Sequence, residues 1–142
     1  MILIPPLLLE HIVDDAEHAY PEECCGLLIG AGDPTGIVTV TRVVSSPNVA
    51  SSGKGDSFEV DPKLRFDLMR ELDGSVHRIV GHYHSHPDHP ACPSLRDVEM
   101  AWEPELVWLI TSVIGGRAVR TAAHVIDRDR SWFREIDIGA PD

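Results

Sequence analysis

Three apolar segments follow one another in the last third of the chain. They are LVWLITSVI, RAVRTAAHVI and SWFREIDI, each about the length of one β-strand. Gly115-Gly116 separates the first two, and a polar run from Asp127 to Arg130 separates the second from the third. Short apolar runs between turn residues are typical of strands, and connections this short favour antiparallel neighbours. The sequence therefore predicts that a sheet forms much of the core.

The earlier part of the chain combines strands with helices. Further strands are predicted over CCGLLIGAG, GIVTVTRVV and RIVGHYHSHP. Helices are predicted from Pro6 to about Ala19, from Pro62 to Gly74, and from near Ser94 to before Pro104. Apolar residues recur at helical spacing in the first two, and Pro21 and Gly74 stand where a helix ends.

One connection, over residues 45–57 (SSPNVASSGKGDS), is long and rich in serine and glycine, which usually indicates function or disorder. No repeat, coiled coil or linker divides the chain, and 142 residues suit one domain. The sequence therefore predicts a single α+β domain over residues 1–142. Its sheet is expected to be mixed and mostly antiparallel, with helices against its faces. Trp102, Trp108 and Trp132 are expected in the core.

Charge and composition exclude several classes of partner. Asp and Glu number 23 against 12 Lys and Arg, a formal net charge of -11, so we expect no nucleic-acid partner. No apolar run approaches the roughly 20 residues of a membrane span, and no basic segment precedes the first apolar stretch, so we expect no membrane segment. Three cysteines, two of them adjacent, do not resemble a disulfide framework, which favours the cytoplasm.

A histidine pair is the main candidate for chemistry. His84 and His86 are two residues apart, so an extended strand presents both imidazoles on one side. Asp97 follows closely enough to fold back to the same point. Two imidazoles and one carboxylate around an open fourth position are typical of catalytic zinc. From these residues alone, the alternative is a pair of loop histidines and a helix cap.

A longer pattern surrounds this pair. The run HSHPDHPACPSLRD contains His-x-His-Pro followed by Pro-Ser-x-x-Asp. Far upstream, Glu23 stands three residues before Gly26, at the start of an apolar strand. These residues, together with the order of elements along the chain, resemble the JAMM/MPN-plus zinc metalloproteases of the small, stand-alone bacterial type. The resemblance implies an MPN-like fold.

The resemblance also implies a role for each site residue. His84, His86 and Asp97 would bind one Zn²⁺ per chain, which would lower the pKa of its water toward ~7. Glu23 would take a proton from that water and pass it to the leaving amine. The hydroxyl of Ser94 would stabilise the oxyanion.

Several residues have a second interpretation. Glu22 could replace its neighbour as base, but the family spacing to Gly26 selects Glu23. Ser94-x-x-Asp97 is also a capping-box pattern. The two roles are compatible if one Asp97 oxygen accepts the backbone hydrogen bond and the other faces the metal.

The remaining reactive side chains near the motif are expected to have structural roles. His82 is expected to pack behind the ligands, and His89 is expected to be a solvated loop residue. Cys25 and Cys92 are expected to be small buried residues.

The family resemblance implies a class of substrate. Its enzymes cleave isopeptide or peptide bonds after the C-terminal glycine of ubiquitin-like proteins, and small bacterial members process β-grasp sulfur-carrier proteins. We therefore expect a partner ending in Gly-Gly, whose extended tail lies along a strand edge beside residues 45–57. The alternatives are a ubiquitin-like-binding scaffold module without catalysis and a small-molecule zinc amidase.

Overall fold

The computed structural model describes residues 1–51, 55–127, 129 and 132–142. Within these ranges the chain forms three helices and one mixed sheet of eight strands, which confirms the predicted α+β fold. In chain order the elements are β1 (Ile2–Leu3), α1 (Pro6–Ala19), β2 (Cys25–Gly32), β3 (Val38–Ser46), α2 (Pro62–Leu72), β4 (Arg78–Pro87), α3 (Leu95–Met100), β5 (Val107–Ile114), β6 (Arg117–Ile126), β7 (Phe133–Ile136) and β8 (Ile138–Gly139).

Each helix begins at, or next to, the residue that the sequence predicted as its start. Helix α1 begins at Pro6, because the fixed φ of proline suits the first helical position. Asp61 caps α2 by accepting a hydrogen bond from the backbone N–H of Lys63 at 3.0 Å. Ser94 caps α3, which ends at Met100 and is therefore shorter than predicted.

The strand order is β7-β6-β5-β4-β2-β3-β1-β8. The long strands pair antiparallel except β4 with β5, while the two-residue β1 pairs parallel with β3 and β8. Although β7 and β8 stand at opposite ends of this order, only Asp137 separates them in sequence. The two edge strands of the sheet therefore meet at Asp137, whose carbonyl accepts a hydrogen bond from the N–H of Ile2 at 2.9 Å.

The prediction of one continuous strand over SWFREIDI is wrong. Ser131 lies outside the described residues, Trp132 precedes β7, and the remainder divides at Asp137 between two strands with different neighbours. Strand β1 was not predicted, because two residues carry no detectable periodicity.

Two apolar layers cover the two faces of the sheet. On one face, α1 buries Ile12 and Ala16 in a core that includes Tyr83. The ring of Tyr83 leaves no room for a side chain at Gly26, where a Cβ would lie 2.3 Å from Tyr83 Cε1. On the other face, Leu68 of α2 packs against β2. The metal-ligand candidates lie on this second face.

The segment predicted as a long loop is partly anchored. Ser45 and Ser46 belong to β3, Asn48 forms an isolated β-bridge with Val60, and Ser57 is buried. Residues 52–54 of the predicted loop, and residues 128 and 130 of the turn after β6, lie outside the described residues.

The tryptophans differ from the expectation. Trp108 is buried, but Trp102 and Trp132 are 66% and 55% exposed, so the core assignment was wrong for these two. In the part of the chain that is described, no helix is both long and apolar enough to cross a membrane.

Candidate metal centre

Strand β4 places the two histidines of the motif in the interior. His84 is fully buried and His86 is 8% exposed. Tyr83 and Ser85, the alternate residues of the strand, contact groups on the α1 side instead. Because β4 lies between β2 and β5, both histidines stand on an inner strand, which limits their movement.

Three side-chain atoms converge at one point. The Nε2 atoms of His84 and His86 are 3.0 Å apart, and Oδ2 of Asp97 lies 3.5 and 3.2 Å from them, respectively. Tetrahedral ligands at roughly 2.0–2.1 Å from zinc lie about 3.3–3.4 Å from one another. The three atoms therefore have the separations that a zinc ion requires.

Asp97 reaches this point from the first turn of α3. Its backbone N–H donates to Ser94 Oγ at 3.1 Å, and the N–H of Ser94 donates back to Asp97 Oδ2 at 2.8 Å, which completes a capping box. The same oxygen therefore caps the helix and faces the histidines. The expectation that the two Asp97 oxygens divide these roles was wrong.

Hydrogen bonds fix the protonation pattern of the cluster. A 2.9 Å contact between His86 Nδ1 and the carbonyl of Pro90 suits an Nδ1–H donor, which turns Nε2 toward Asp97 Oδ2 at 3.2 Å. Burial would raise the pKa of Asp97, but its hydrogen bonds with His84 and His86 outweigh burial and lower that pKa. An ionised carboxylate beside two imidazole Nε2 atoms is a donor set that suits zinc, which would take the place of the shared protons.

Ring packing holds His84. Phe58 stacks on the His84 imidazole with the ring centroids 4.1 Å apart, and Trp108 meets it edge-on at 5.6 Å. Among the described residues, His84 Nδ1 has no hydrogen-bond partner, so stacking takes the place of the hydrogen bond seen at His86. Burial lowers the pKa of His84, which favours the neutral form that binds metal.

Glu23 lies beside the histidine pair. Ligand atoms of Glu23, His84 and His86 lie within 4.8 Å of one another. Glu23 is 5% exposed whereas Glu22 is exposed, although neither residue is in a strand. Burial raises the pKa of Glu23 to about 8, against the opposing effect of His86. A carboxylate with a raised pKa next to a metal-ligand set is the usual arrangement of a general base.

Two polar residues that are not fixed positions of the motif hold the backbone around Glu23. The backbone N–H of Cys24 donates to Ser85 Oγ at 2.8 Å, which ties the segment before β2 to β4. Asn48 Nδ2 donates to the carbonyl of Glu23 at 3.1 Å. Sequence reasoning missed both. The position of Ser85 between two inward-facing histidines was the available signal, since alternation turns its side chain away from them.

An open cavity of about 410 Å³ lies next to the cluster. Its lining residues are Glu23, Asp56, His86, Pro87, His89, Pro90, Cys92, Pro93 and Ser94. Ser94 is exposed to this cavity, and His89 is exposed as expected. Cys92 is also exposed, so the expectation of a buried thiol was wrong here, whereas Cys25 is buried as expected.

Two further histidines support the site from behind. His82 packs against Trp108 with centroids 4.3 Å apart, in agreement with the expected packed histidine, and burial lowers its pKa to about 3. His124, which sequence reasoning did not single out, contacts the carbonyl of Ala91 through Nε2 at 3.0 Å. That contact holds the loop between His86 and α3 against β6.

The fold and the cluster together define a class of protein, an α+β domain that carries a candidate metal centre of two imidazoles and nearby carboxylates. Comparison with known families then makes the assignment specific. The profile of Prok-JAB, described as prokaryotic homologs of the JAB domain, matches residues 5–133. The chain belongs to this family.

Three relatives each match most of the chain. Desampylase from Haloferax volcanii is 32% identical over 134 residues, covering 92% of this chain and 87% of the relative. A probable TtuB-protein conjugate cleaving protease from Thermus thermophilus is 30% identical over 116 residues, covering 82% and 70%. The CysO-cysteine peptidase of Mycobacterium tuberculosis is 27% identical over 115 residues, covering 79% and 73%.

Solved structures confirm the MPN fold. A solution structure of a Desulfitobacterium hafniense protein superposes with a TM-score of 0.82 at 29% identity, covering 100% of this chain and 94% of that protein. A JAB1/MPN domain protein from Archaeoglobus fulgidus gives a TM-score of 0.61 at 17% identity over 99% of both chains, a likeness in fold alone.

Proposed function

We propose that this protein is a zinc metallopeptidase that hydrolyses the amide bond after the C-terminal glycine of a ubiquitin-like sulfur-carrier protein. His84, His86 and Asp97 bind one zinc ion, Glu23 is the general base, and Ser94 stabilises the oxyanion. The observation that carries the proposal is the convergence of two Nε2 atoms and one carboxylate oxygen at separations of 3.0 to 3.5 Å, next to a buried Glu23.

The positions of Asp97 and Glu23 relative to the histidines and the cavity support different roles for these two carboxylates. Asp97 Oδ2 lies 3.2 Å from His86 Nε2, close to the spacing of two ligands on one ion. Glu23 lines the open cavity, where Asp97 does not. This supports Asp97 as the ligand and Glu23 as the residue that handles protons.

Each residue then performs one step of hydrolysis. Zinc at this position would supply Lewis acidity and a water of lowered pKa. Glu23 takes a proton from the attacking water and returns it to the leaving nitrogen. The hydroxyl of Ser94 accepts a hydrogen bond from the N–H of Asp97 and keeps its own proton free to donate to the developing oxyanion.

The proposed substrate class is supported by two relatives, a probable TtuB-protein conjugate cleaving protease and a CysO-cysteine peptidase. We propose a carrier ending in Gly-Gly, whose extended tail lies along the sheet edge beside residues 45–57. We also propose that residues 1–142 form one JAMM/MPN-plus domain, and that the protein works in the cytoplasm. The three free cysteines support a reducing compartment.

The test pairs Glu23→Gln with Glu22→Gln, a matched change at the exposed neighbour. Zinc content should stay at one ion per chain in both variants. Single-turnover cleavage of a fusion between a Gly-Gly-ended carrier and a peptide should fall by about 10²–10⁴ in Glu23→Gln and stay near wild type in Glu22→Gln. Equal rates at equal zinc content in Glu23→Gln and wild type would remove Glu23 as the base.

The same assay separates the alternative functions. Wild type that holds zinc but cleaves no amide substrate would favour a scaffold module. Cleavage of small amides without cleavage of carrier fusions would favour a small-molecule amidase. Retention of zinc in His86→Ala would exclude His86 from the ligand set.

A further inference from the structure

We propose that Asp88 is a positioning residue, which holds the base Glu23 level with the ligand His86 through a hydrogen bond with Tyr20. This inference rests on the proposed function, because it concerns the same base and the same ligand. Neither Asp88 nor Tyr20 is among the residues that line the cavity, so both act through other residues.

Backbone pairing between β2 and β4 ends just before the site. The last registered pair is Cys25 with His84. One further backbone hydrogen bond, from the N–H of Ser85 to the carbonyl of the residue before Cys25, follows at 3.2 Å. Continued in the same register, the two strands would place Glu23 level with His86. The base and the ligand therefore both lie beyond the end of this ladder.

Prolines prevent the ladder from continuing past them. Pro21 and Pro87 follow on the two sides, and neither has an N–H to donate. A side-chain hydrogen bond takes over at this point, because the hydroxyl of Tyr20 donates to Asp88 Oδ2 at 2.7 Å across 68 residues of sequence. The same register would place Pro21 level with Asp88, so this bond lies where the next backbone pairs would have been.

Asp88 is itself anchored to the sheet. Its Oδ1 accepts a hydrogen bond from the N–H of Gly115 at 3.0 Å, in the turn between β5 and β6. Its backbone N–H donates to the carbonyl of Val113 at 2.6 Å. Because β5 also pairs with β4, the carboxylate that Tyr20 contacts is fixed relative to the strand of His86.

The backbone of Asp88 has an uncommon conformation. Its φ is 58°, and no second positive φ occurs among the described residues other than glycine. Aspartate and asparagine tolerate this left-handed region better than most residues. Such a conformation persists when its surroundings over-determine it, as the three hydrogen bonds of Asp88 do. The turn after Pro87 is therefore held in one geometry.

Short segments carry this anchor to the site. Two residues separate Tyr20 from Glu23, and one residue separates Asp88 from His86. The Tyr20–Asp88 bond and the β2–β4 ladder therefore enclose the base and the ligand from both sides. Loss of the bond would let Glu23 shift relative to His86, and small misplacements of a catalytic group are costly.

The experiment compares two single variants of the zinc-loaded full-length protein. Tyr20→Phe removes one hydroxyl, and Asp88→Gly removes the carboxylate while keeping a positive φ accessible. Each should lower kcat for a Gly-Gly-ended carrier fusion by about 5- to 10-fold, with KM and zinc affinity unchanged in Tyr20→Phe. The double variant should fall no further than Asp88→Gly alone, because both changes remove the same bond.

Conservative and distant changes are the controls. Asp88→Asn should stay within about 2-fold of wild type, since its oxygen can accept from Gly115 and its amide can donate to the Tyr20 oxygen. Asp33→Gly should leave kcat unchanged. Asp33 is also an exposed aspartate that accepts from an N–H and a hydroxyl, both of Thr35 at 2.8 and 2.7 Å, but it follows the far end of β2.

A second measurement does not depend on activity. In the metal-free protein, the amide of Ser85 should exchange with solvent about 10-fold faster in Tyr20→Phe than in wild type, because the end of the ladder frays. Amides at the centre of β2 and β4 should exchange at the same rate in both. Adding Tyr20→Phe to Glu23→Gln should cause no further loss of kcat if the bond acts through the base.

The possible results are distinct. Unchanged kcat in Tyr20→Phe and Asp88→Gly would overturn the positioning role, and a loss of stability alone would make the bond purely structural. A further fall in kcat when Tyr20→Phe is added to Glu23→Gln would mean that the bond does not act through Glu23. If wild type binds zinc but cleaves no carrier fusion, the proposed peptidase function fails, and the role of Asp88 in it fails as well.

Discussion

At the scale of single residues, one oxygen links the helix cap to the candidate metal centre. Oδ2 of Asp97 accepts the backbone hydrogen bond of Ser94 at 2.8 Å and lies 3.2 Å from His86 Nε2. A carboxylate oxygen has two lone pairs, so it can serve both partners at once. The start of α3 therefore fixes the direction of the proposed ligand, and a change at Ser94 acts on the cap and on the site together.

Replacing Ser94 by alanine separates its two roles. We expect kcat to fall by about 10²–10³ with zinc still bound, because the oxyanion loses a donor. The lost cap should lower the free energy of unfolding by about 1 kcal/mol. Cleavage kinetics, zinc analysis and denaturant unfolding measure these effects, and Ser94→Thr, which keeps a hydroxyl, is the control. If stability falls while kcat is unchanged, Ser94 is a helix cap only.

The sequence revealed some site residues and not others for a physical reason. His84, His86 and Asp97 were predicted from side chains at fixed offsets in one segment, and the structure brings these side chains together. Asn48 and Ser85 instead bond to backbone groups 25 and 61 residues away. Any residue can supply a backbone group, and no local pattern marks such a contact. Alternation along the strand indicated only that Ser85 turns away from the histidines, so its partner, like that of Asn48, could be found only from the fold.

At the scale of elements, Asn48 joins the segment after β3 to the residue before β2. Its Nδ2 donates to the carbonyls of Glu23 and Ser57 at 3.1 and 3.0 Å. Its Oδ1 accepts from the N–H groups of Ala50 and Glu59 at 3.1 and 3.0 Å. All four hydrogen-bonding positions of the amide are used. The Asn48 side chain therefore ties together the backbone at Ala50, Ser57 and Glu59, and it holds the backbone of Glu23 beside them.

Asn48→Ala should lower kcat through displacement of Glu23. We expect a fall of about 10-fold, since small misplacements of a catalytic group are costly. The free energy of unfolding should fall by about 1–3 kcal/mol, because carbonyls lose their donors. Ser46→Ala is a matched control, since Ser46 Oγ accepts from Asp61 and donates to Pro47 but does not touch Glu23. A loss of kcat equal to that of Ser46→Ala would contradict the positioning role.

Element prediction also had a physical limit. The long inner strands were predicted because their apolar runs are buried on both faces, as in VWLITSV of β5. Strands β1 and β8 have two residues each and form only when the ends of the chain meet. Their existence depends on the meeting of the two edge strands, which no local window contains. The division of the last strand at Asp137 was missed for the same reason.

At the scale of the whole molecule, both ends of the chain contribute to the α1 core. Ile2 and Ile136, from opposite ends of the chain, both lie in the apolar cluster that contains Ile12 of α1. Cys24 belongs to this cluster, whereas Cys25 is fully buried in β2 with its Sγ toward the carbonyls of Ser46, Pro47 and Glu59. Reagents in solvent can therefore reach Cys24 only when the α1 core opens, and Cys25 only when β2 separates from the segment that contains these carbonyls.

The accessibility of the three thiols measures that opening. Burial raises the pKa of Cys24 and of Cys25 to about 12, so at pH 8 both stay protonated, and the thiolate is the reactive form. Cys92 is exposed and lines the open cavity next to the candidate metal centre. Iodoacetamide at pH 8 should therefore modify Cys92 quickly in the native protein. It should modify Cys24 and Cys25 at a rate set by unfolding, and that rate should rise with denaturant along the unfolding transition.

Mass spectrometry of timed samples identifies the modified residues. In Cys92→Ser the fast phase should disappear while the slow phase is unchanged. Rapid modification of Cys24 or Cys25 without denaturant would mean that the protein opens locally around β2, next to Glu23, without unfolding as a whole.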